Sequence, residues 1–108
     1  MLDQILLKKL LLEFRKGLDE IYGSRLKGFY LFGSYARGDQ ANESDLDLLV
    51  ILDHFNHYGD EVHRTSQLIS DFSLQYDLSI SNVFVKESAW KKNQNPFIRN
   101  IHREVLAA

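Results

Sequence analysis

Residues 33–47 read Gly33-Ser34-Tyr35-Ala36-Arg37-Gly38-Asp39-Gln40-Ala41-Asn42-Glu43-Ser44-Asp45-Leu46-Asp47, a Gly-Ser pair followed, after ten intervening residues, by two carboxylates separated by one leucine. Upstream, Leu26 to Phe32 is aromatic and aliphatic and stops at Gly33, the pattern of a buried strand that feeds a tight turn. Downstream, Asp45 to Leu52 is nearly continuous Leu, Val and Ile after its two acids, which predicts a central strand covered on both faces. Between the two strands, Ser34 is suited to cap a short helical piece that ends near Gly38.

Working outward, residues 2–22 predict a long amphipathic helix, with Leu7, Leu10, Leu11, Phe14, Leu18, Ile21 and Tyr22 on one face and Gly23 as its stop. Ile5 and Leu12 fall on the opposite side, either as scattered surface residues or as an oligomer or partner contact. Residues 59–75 predict a second long helix with Val62, Leu68, Ile69 and Phe72 turned inward, and Asp77 to Val85 predicts a third strand. Asn95-Pro96 opens a last helix whose inward residues are Phe97, Ile98, Ile101 and Val105. The order gives an α/β fold, residues 1–108 forming a single domain on a small mixed sheet with flanking helices. If the Gly-Ser turn and the two carboxylates serve one site, the first two strands run antiparallel. The second and third, joined by a long helix, run parallel.

Composition narrows the function classes. Hydrophobic residues make up 44% and charged residues 26% of the 108, values ordinary for a globular chain, and there is no cysteine. The apolar run Ile5-Leu6-Leu7 meets Lys8-Lys9, which argues against a membrane span and against a signal-peptide core, so an intracellular, cytoplasmic protein is expected. Thirteen basic against fifteen acidic residues, with no basic cluster, do not suit a polymeric nucleic acid as the main partner. His54, His57, His63 and His102 show no zinc-ligand spacing.

Asp45 and Asp47, two apart on a strand, leave the same face with Cα atoms roughly 6–7 Å apart. Paired carboxylates repel, and hard divalent cations are the usual remedy; Mg2+ binds through a few carboxylates plus substrate phosphates, and two such ions can clamp an in-line displacement at phosphorus. Asp77, opening the neighbouring strand at the same edge, is the candidate third carboxylate, with Asp53 a weaker one at the far end of the second strand. Gly33 lets backbone approach an anion, Ser34 adds a hydroxyl donor, and Arg37 one turn on can reach a phosphate oxygen or stay solvated. Gly28 to Ser34 also mimics a Walker loop but lacks its lysine, and the Gly23-Ser24 pair has no acids at the corresponding distance.

From Gly33-Ser34-Tyr35-Ala36-Arg37-Gly38 through Ser44-Asp45-Leu46-Asp47-Leu48, the chain resembles the polymerase-beta-type nucleotidyltransferase superfamily, and within it the minimal nucleotidyltransferases. The resemblance extends to Tyr76-Asp77-Leu78 and to the closing segment Asn95 to Glu104, although Val105 stands where a glycine is expected. It implies that Asp45 and Asp47 hold Mg2+, that Asp77 completes the metal site and helps to deprotonate the attacking hydroxyl, and that Gly33 and Ser34 hold the phosphates of ATP. It further implies transfer of AMP to a hydroxyl, in an antitoxin that adenylylates a tyrosine of a HEPN-type toxin partner. Larger relatives carry an added helical domain for the acceptor; here the acceptor is expected on another chain or on a second copy in a homo-oligomer. A binding module that neutralises its partner by contact, and a small-molecule nucleotidyltransferase with a separate acceptor subunit, are the alternatives.

Overall fold

The computed structural model describes residues 2–93 and 95–108. Helix α1 (Gln4–Tyr22) starts where the Asp3 carboxylate accepts a hydrogen bond from the Leu6 amide at 2.8 Å, and stops at Gly23, whose φ of 56° suits glycine. Its inner face buries Leu7, Leu10, Leu11, Phe14, Leu18 and Tyr22, while Ile5 and Leu12 stand 81% and 65% exposed, on the side the periodicity assigns them.

Among the described residues, four strands form one sheet in the order β3-β2-β1-β4. Strand β1 (Leu26–Phe32) pairs antiparallel with β2 (Leu46–Leu52), and β2 pairs parallel with β3 (Ile80–Lys86), the two directions expected from the position of the motif. A two-residue strand β4 (Leu106–Ala107), not anticipated from sequence, joins the outer edge of β1 antiparallel. Leu46, Leu48, Val50 and Leu52 point to one layer, where α1 packs with α4 (Ser66–Tyr76); Phe14 stacks on Phe29 and meets Phe72 edge-on there. Leu49 and Ile51 point to the other layer, with Ile98 and Ile101 of α6 (Pro96–Glu104) and Trp90 of α5 (Glu87–Lys92). Strand β2 is therefore buried on both faces, as its near-continuous apolar run requires.

Several expectations are corrected. The helix expected over 59–75 is two helices, α3 (Tyr58–Arg64) and α4, bent at Thr65. Thr65 is fully buried, and its hydroxyl donates to the Glu61 carbonyl at 3.0 Å and the Val62 carbonyl at 3.3 Å; such bonding to the preceding turn bends helices. The bend turns Val62 out to 46% exposure and Glu61 in to 3%. Buried Glu61 is satisfied by the Tyr22 hydroxyl at 2.8 Å and the Arg64 guanidinium at 3.0 Å, which ties α3 to α1. Asp77 does not open a strand: helix α4 runs through Tyr76, Asp77 caps it in the left-handed conformation, and β3 begins only at Ile80. Ser34 is the first residue of α2 (Ser34–Arg37) rather than its cap, a place taken by Gly33. Phe97 is 47% exposed, and Val105 lies just past α6 while still packing on the second core.

Candidate active site

The antiparallel register of β1 and β2 sets Phe32 opposite Asp47, so the turn that follows Phe32 lies beside the carboxylates. Gly33 there has φ 75° and ψ −155°, a conformation essentially restricted to glycine. It is also buried against Asp47: a Cβ at this position would collide with the Asp47 carboxylate. The glycine thus lets backbone and carboxylate approach as no other residue would.

Asp47 is half-buried on the sheet face that carries Leu49 and Ile51, and Asp45, just before the strand, is exposed. Burial raises the Asp47 carboxyl above its ordinary value; the negative charge of Asp45 and, less strongly, of Glu104 adds to this, while Arg37 opposes it. Among the described residues no hydrogen bond or ion pair engages either carboxylate. Two adjacent acids without a protein partner are a donor set suited to a hard divalent cation completed by substrate oxygens. No three acidic or histidine side chains among the described residues converge as a complete metal cage.

The remaining expected residues are brought together unequally. Ser34 is half-buried at the start of α2, one residue from the glycine under Asp47. Arg37 is not free in solvent: its guanidinium pairs with Asp39 at 3.2 Å and with Glu104 at 3.1 Å. Asp77 is exposed and lines a cavity of about 430 Å³ with Asn42, Glu43 and Ser44, next to the segment that leads into Asp45. The charges acting on Asp47 are those of Asp45, Arg37 and Glu104. On β3 the residue beside Asp47 is Ser81, a hydroxyl and not a carboxylate. Asp53, the weaker candidate, pairs with Arg25 at 3.2 Å at the other end of β2.

Sequence reasoning missed Glu104 in this set. Its Oε1 accepts a hydrogen bond from the Gly33 amide at 3.1 Å while its Oε2 receives the Arg37 guanidinium. The signal was faint, since Glu104 reaches the site through the packing of α6 on the sheet and the docking of β4, which is two residues long.

Comparison with known proteins gives the arrangement its context. Residues 11–105 match the family described as the nucleotidyltransferase domain. A candidate protein adenylyltransferase of Methanocaldococcus jannaschii is 35% identical over 100 residues, covering 92% of this chain and 90% of that protein. A second from the same organism is 37% identical over 76 residues, covering 70% and 76%. Among solved structures, a candidate minimal nucleotidyltransferase superposes with a TM-score of 0.67 at 20% identity, over 98% of this chain and 96% of that one. A toxin–antitoxin crystallised with AMP-PNP gives 0.61 at 18% identity, over 88% and 69%. These two likenesses are of fold.

Proposed function

Because the chain belongs to the nucleotidyltransferase domain family, we propose that it transfers AMP from ATP to a protein hydroxyl, a tyrosine of a HEPN-type toxin partner, as an Mg2+-dependent antitoxin. The observation that carries the reading is the placement of the Gly33-Ser34 turn beside Asp47 by the β1–β2 register.

In this reading Asp45 and Asp47 would hold Mg2+, two ions in all, and Asp77, which shares a cleft with Ser44 but does not converge with the pair in this arrangement, would close on it as the third carboxylate. A cation held there would supply positive charge against the paired carboxylates and the phosphates and would ease ionisation of the attacking hydroxyl. The Gly33 amide and the Ser34 hydroxyl donate to phosphate oxygens, and Arg37 matches their charge. The acceptor oxygen attacks the α-phosphorus in line, the bond to pyrophosphate breaks, and the hydroxyl proton passes to a site carboxylate, Asp77 by the resemblance. Catalysis is then mainly positioning and charge stabilisation.

A protein acceptor is supported by the description of the M. jannaschii relatives as candidate protein adenylyltransferases and by the shared fold with a toxin–antitoxin. Exposed Ile5 and Leu12 on α1 offer a face for such a partner or for a second copy. The test is incubation with ATP labelled at the α-phosphate, Mg2+ and the candidate toxin. Label on a toxin tyrosine, with an added AMP by mass spectrometry, is the expected result. A toxin that is neutralised but never labelled would sink the proposal.

A further inference from the structure

Glu104 stands on the groups that the proposed function gives to a nucleotide phosphate. One carboxylate oxygen takes the Gly33 N–H at 3.1 Å and the other takes the Arg37 guanidinium at 3.1 Å. The arrangement is anchored by the sheet. Strand β4 pairs with β1 through Leu31–Leu106 and Tyr30–Ala107, and the Ala108 amide donates to the Phe29 carbonyl at 3.1 Å. Glu104 lies two residues before β4, so this pairing holds the end of α6 beside the turn that follows β1. The side chain is held to 29% exposure beside Asp47, a like charge that repels it. An isolated carboxylate–guanidinium pair at a protein surface adds little; this one also satisfies a backbone amide in a buried turn and is aimed there by backbone pairing.

We propose that Glu104 is an internal stand-in for a nucleotide phosphate, which must leave the Gly33 amide and Arg37 before a triphosphate can bind and which thereby sets the affinity of the site. The inference rests on the nucleotide reading of Gly33 and Arg37. A carboxylate presents two oxygens at a spacing that an amide and a guanidinium accept much as they accept two phosphate oxygens, so the two anions compete for the same donors. Only the side chain needs to move. Glu104 is the last residue of α6, and rotation towards solvent leaves the pairing of β4 intact.

The test is calorimetric titration of the full chain with Mg2+ and either AMP-PNP or inorganic tripolyphosphate, for wild type, Glu104→Gln and Glu104→Ala. Removing the competing charge is expected to tighten both ligands roughly five- to fiftyfold, since the gain lies in the phosphates and not in the base. A residue that merely braced the C-terminal turn would behave oppositely: its loss would lower the melting temperature and weaken binding. Glu104→Gln keeps the side-chain size and an acceptor for the Gly33 amide, so it decides the matter if Glu104→Ala folds poorly. Unchanged or weaker binding by Glu104→Gln, with a wild type that binds, overturns the inference alone. Failure of every form to bind either ligand overturns the nucleotide reading and the inference with it.

Discussion

Gly33 lies against the Asp47 carboxylate so closely that a Cβ on Gly33 would overlap Asp47 Oδ2 and stand 3.1 Å from its Cγ. The turn and the acid are thus one device, with the strand register as its frame. Gly33→Ala combines backbone strain at φ 75° with displacement of the carboxylate, and should destabilise the fold by on the order of 1–3 kcal/mol. Gly23→Ala is the control, because Gly23 also has positive φ, 56°, but nothing within 4 Å of its Cβ position. Urea unfolding should show strain in both variants, and transferase activity should fall in Gly33→Ala alone. Equal activity of the two variants would show that the close approach has no bearing on the site.

Asp45 and Asp47 make no hydrogen bond or ion pair among the described residues and repel each other, so a bound cation should relieve that repulsion. Mg2+ is expected to raise the melting temperature of the wild type in a concentration-dependent manner, and to leave the Asp45→Asn/Asp47→Asn double variant unmoved. Loss of the pair should reduce AMP transfer by about a thousandfold or more, the scale of a metal's charge stabilisation. Scanning fluorimetry and a labelled-ATP assay check the two arms. A double variant that still shifts with Mg2+ would place the cation elsewhere.

Glu61 gives the fold a pH dependence on the acid side. Burial pushes its carboxyl up, but the hydrogen bonds from Arg64 and Tyr22 outweigh this and hold it below its ordinary value of 4.5. A depressed carboxyl lends stability that is fully present above 4.5 and lost as pH falls through its lowered folded value. Glu61→Gln should therefore be less stable than wild type at neutral pH, with the difference shrinking as the pH is taken below 4.5. Denaturant midpoints measured across that range decide it, and a difference independent of pH would mean that the Glu61 charge contributes nothing. Tyr22→Phe, which strips one donor from the same buried carboxylate, should cost about 1–3 kcal/mol.

Phe14 and Leu12 test the two sides of α1. Phe14 is fully buried between Phe29 and Phe72, and Phe14→Ala should cost about 3–5 kcal/mol, a large share of the stability of a domain this size. Leu12→Ala, on the exposed side, should change stability by less than about 0.5 kcal/mol. Thermal unfolding compares them directly. A comparable loss in both variants would mean that the outer face is covered in solution.

The strands and the motif were legible because their signals are local. Alternation, apolar runs and a glycine at a turn act within a few residues, and β1 was bounded correctly from Leu26 to Phe32. Asp45, Asp47, Gly33 and Ser34 lie within fifteen residues, and two strand directions sufficed to bring them to one edge. The stretch from Tyr58 to Tyr76 was harder. Its apolar periodicity predicts one helix with Val62 inside, whereas the Thr65 hydroxyl bends the backbone and hands the buried place to Glu61, a substitution of roles that only the Tyr22 and Arg64 partners make tolerable. Asp77 fell outside the strand for a related reason: α4 extends to Tyr76 and needs a left-handed residue to end it.

By itself, the amino-acid sequence determined the α/β class, the order and direction of the three main strands, and the closeness of Gly33 and Ser34 to Asp45 and Asp47. Those follow from steric and hydrophobic preferences that neighbouring residues impose on one another. Only the tertiary structure decided what surrounds that group. The Leu106–Ala107 pairing on β1, which brings Glu104 to Gly33 and Arg37 across 71 and 67 positions of chain, depends on where two distant segments meet. No local preference of either segment encodes such a meeting; it emerges from packing α6 over the sheet, and it sets a carboxylate against the Gly33 amide and the Arg37 guanidinium.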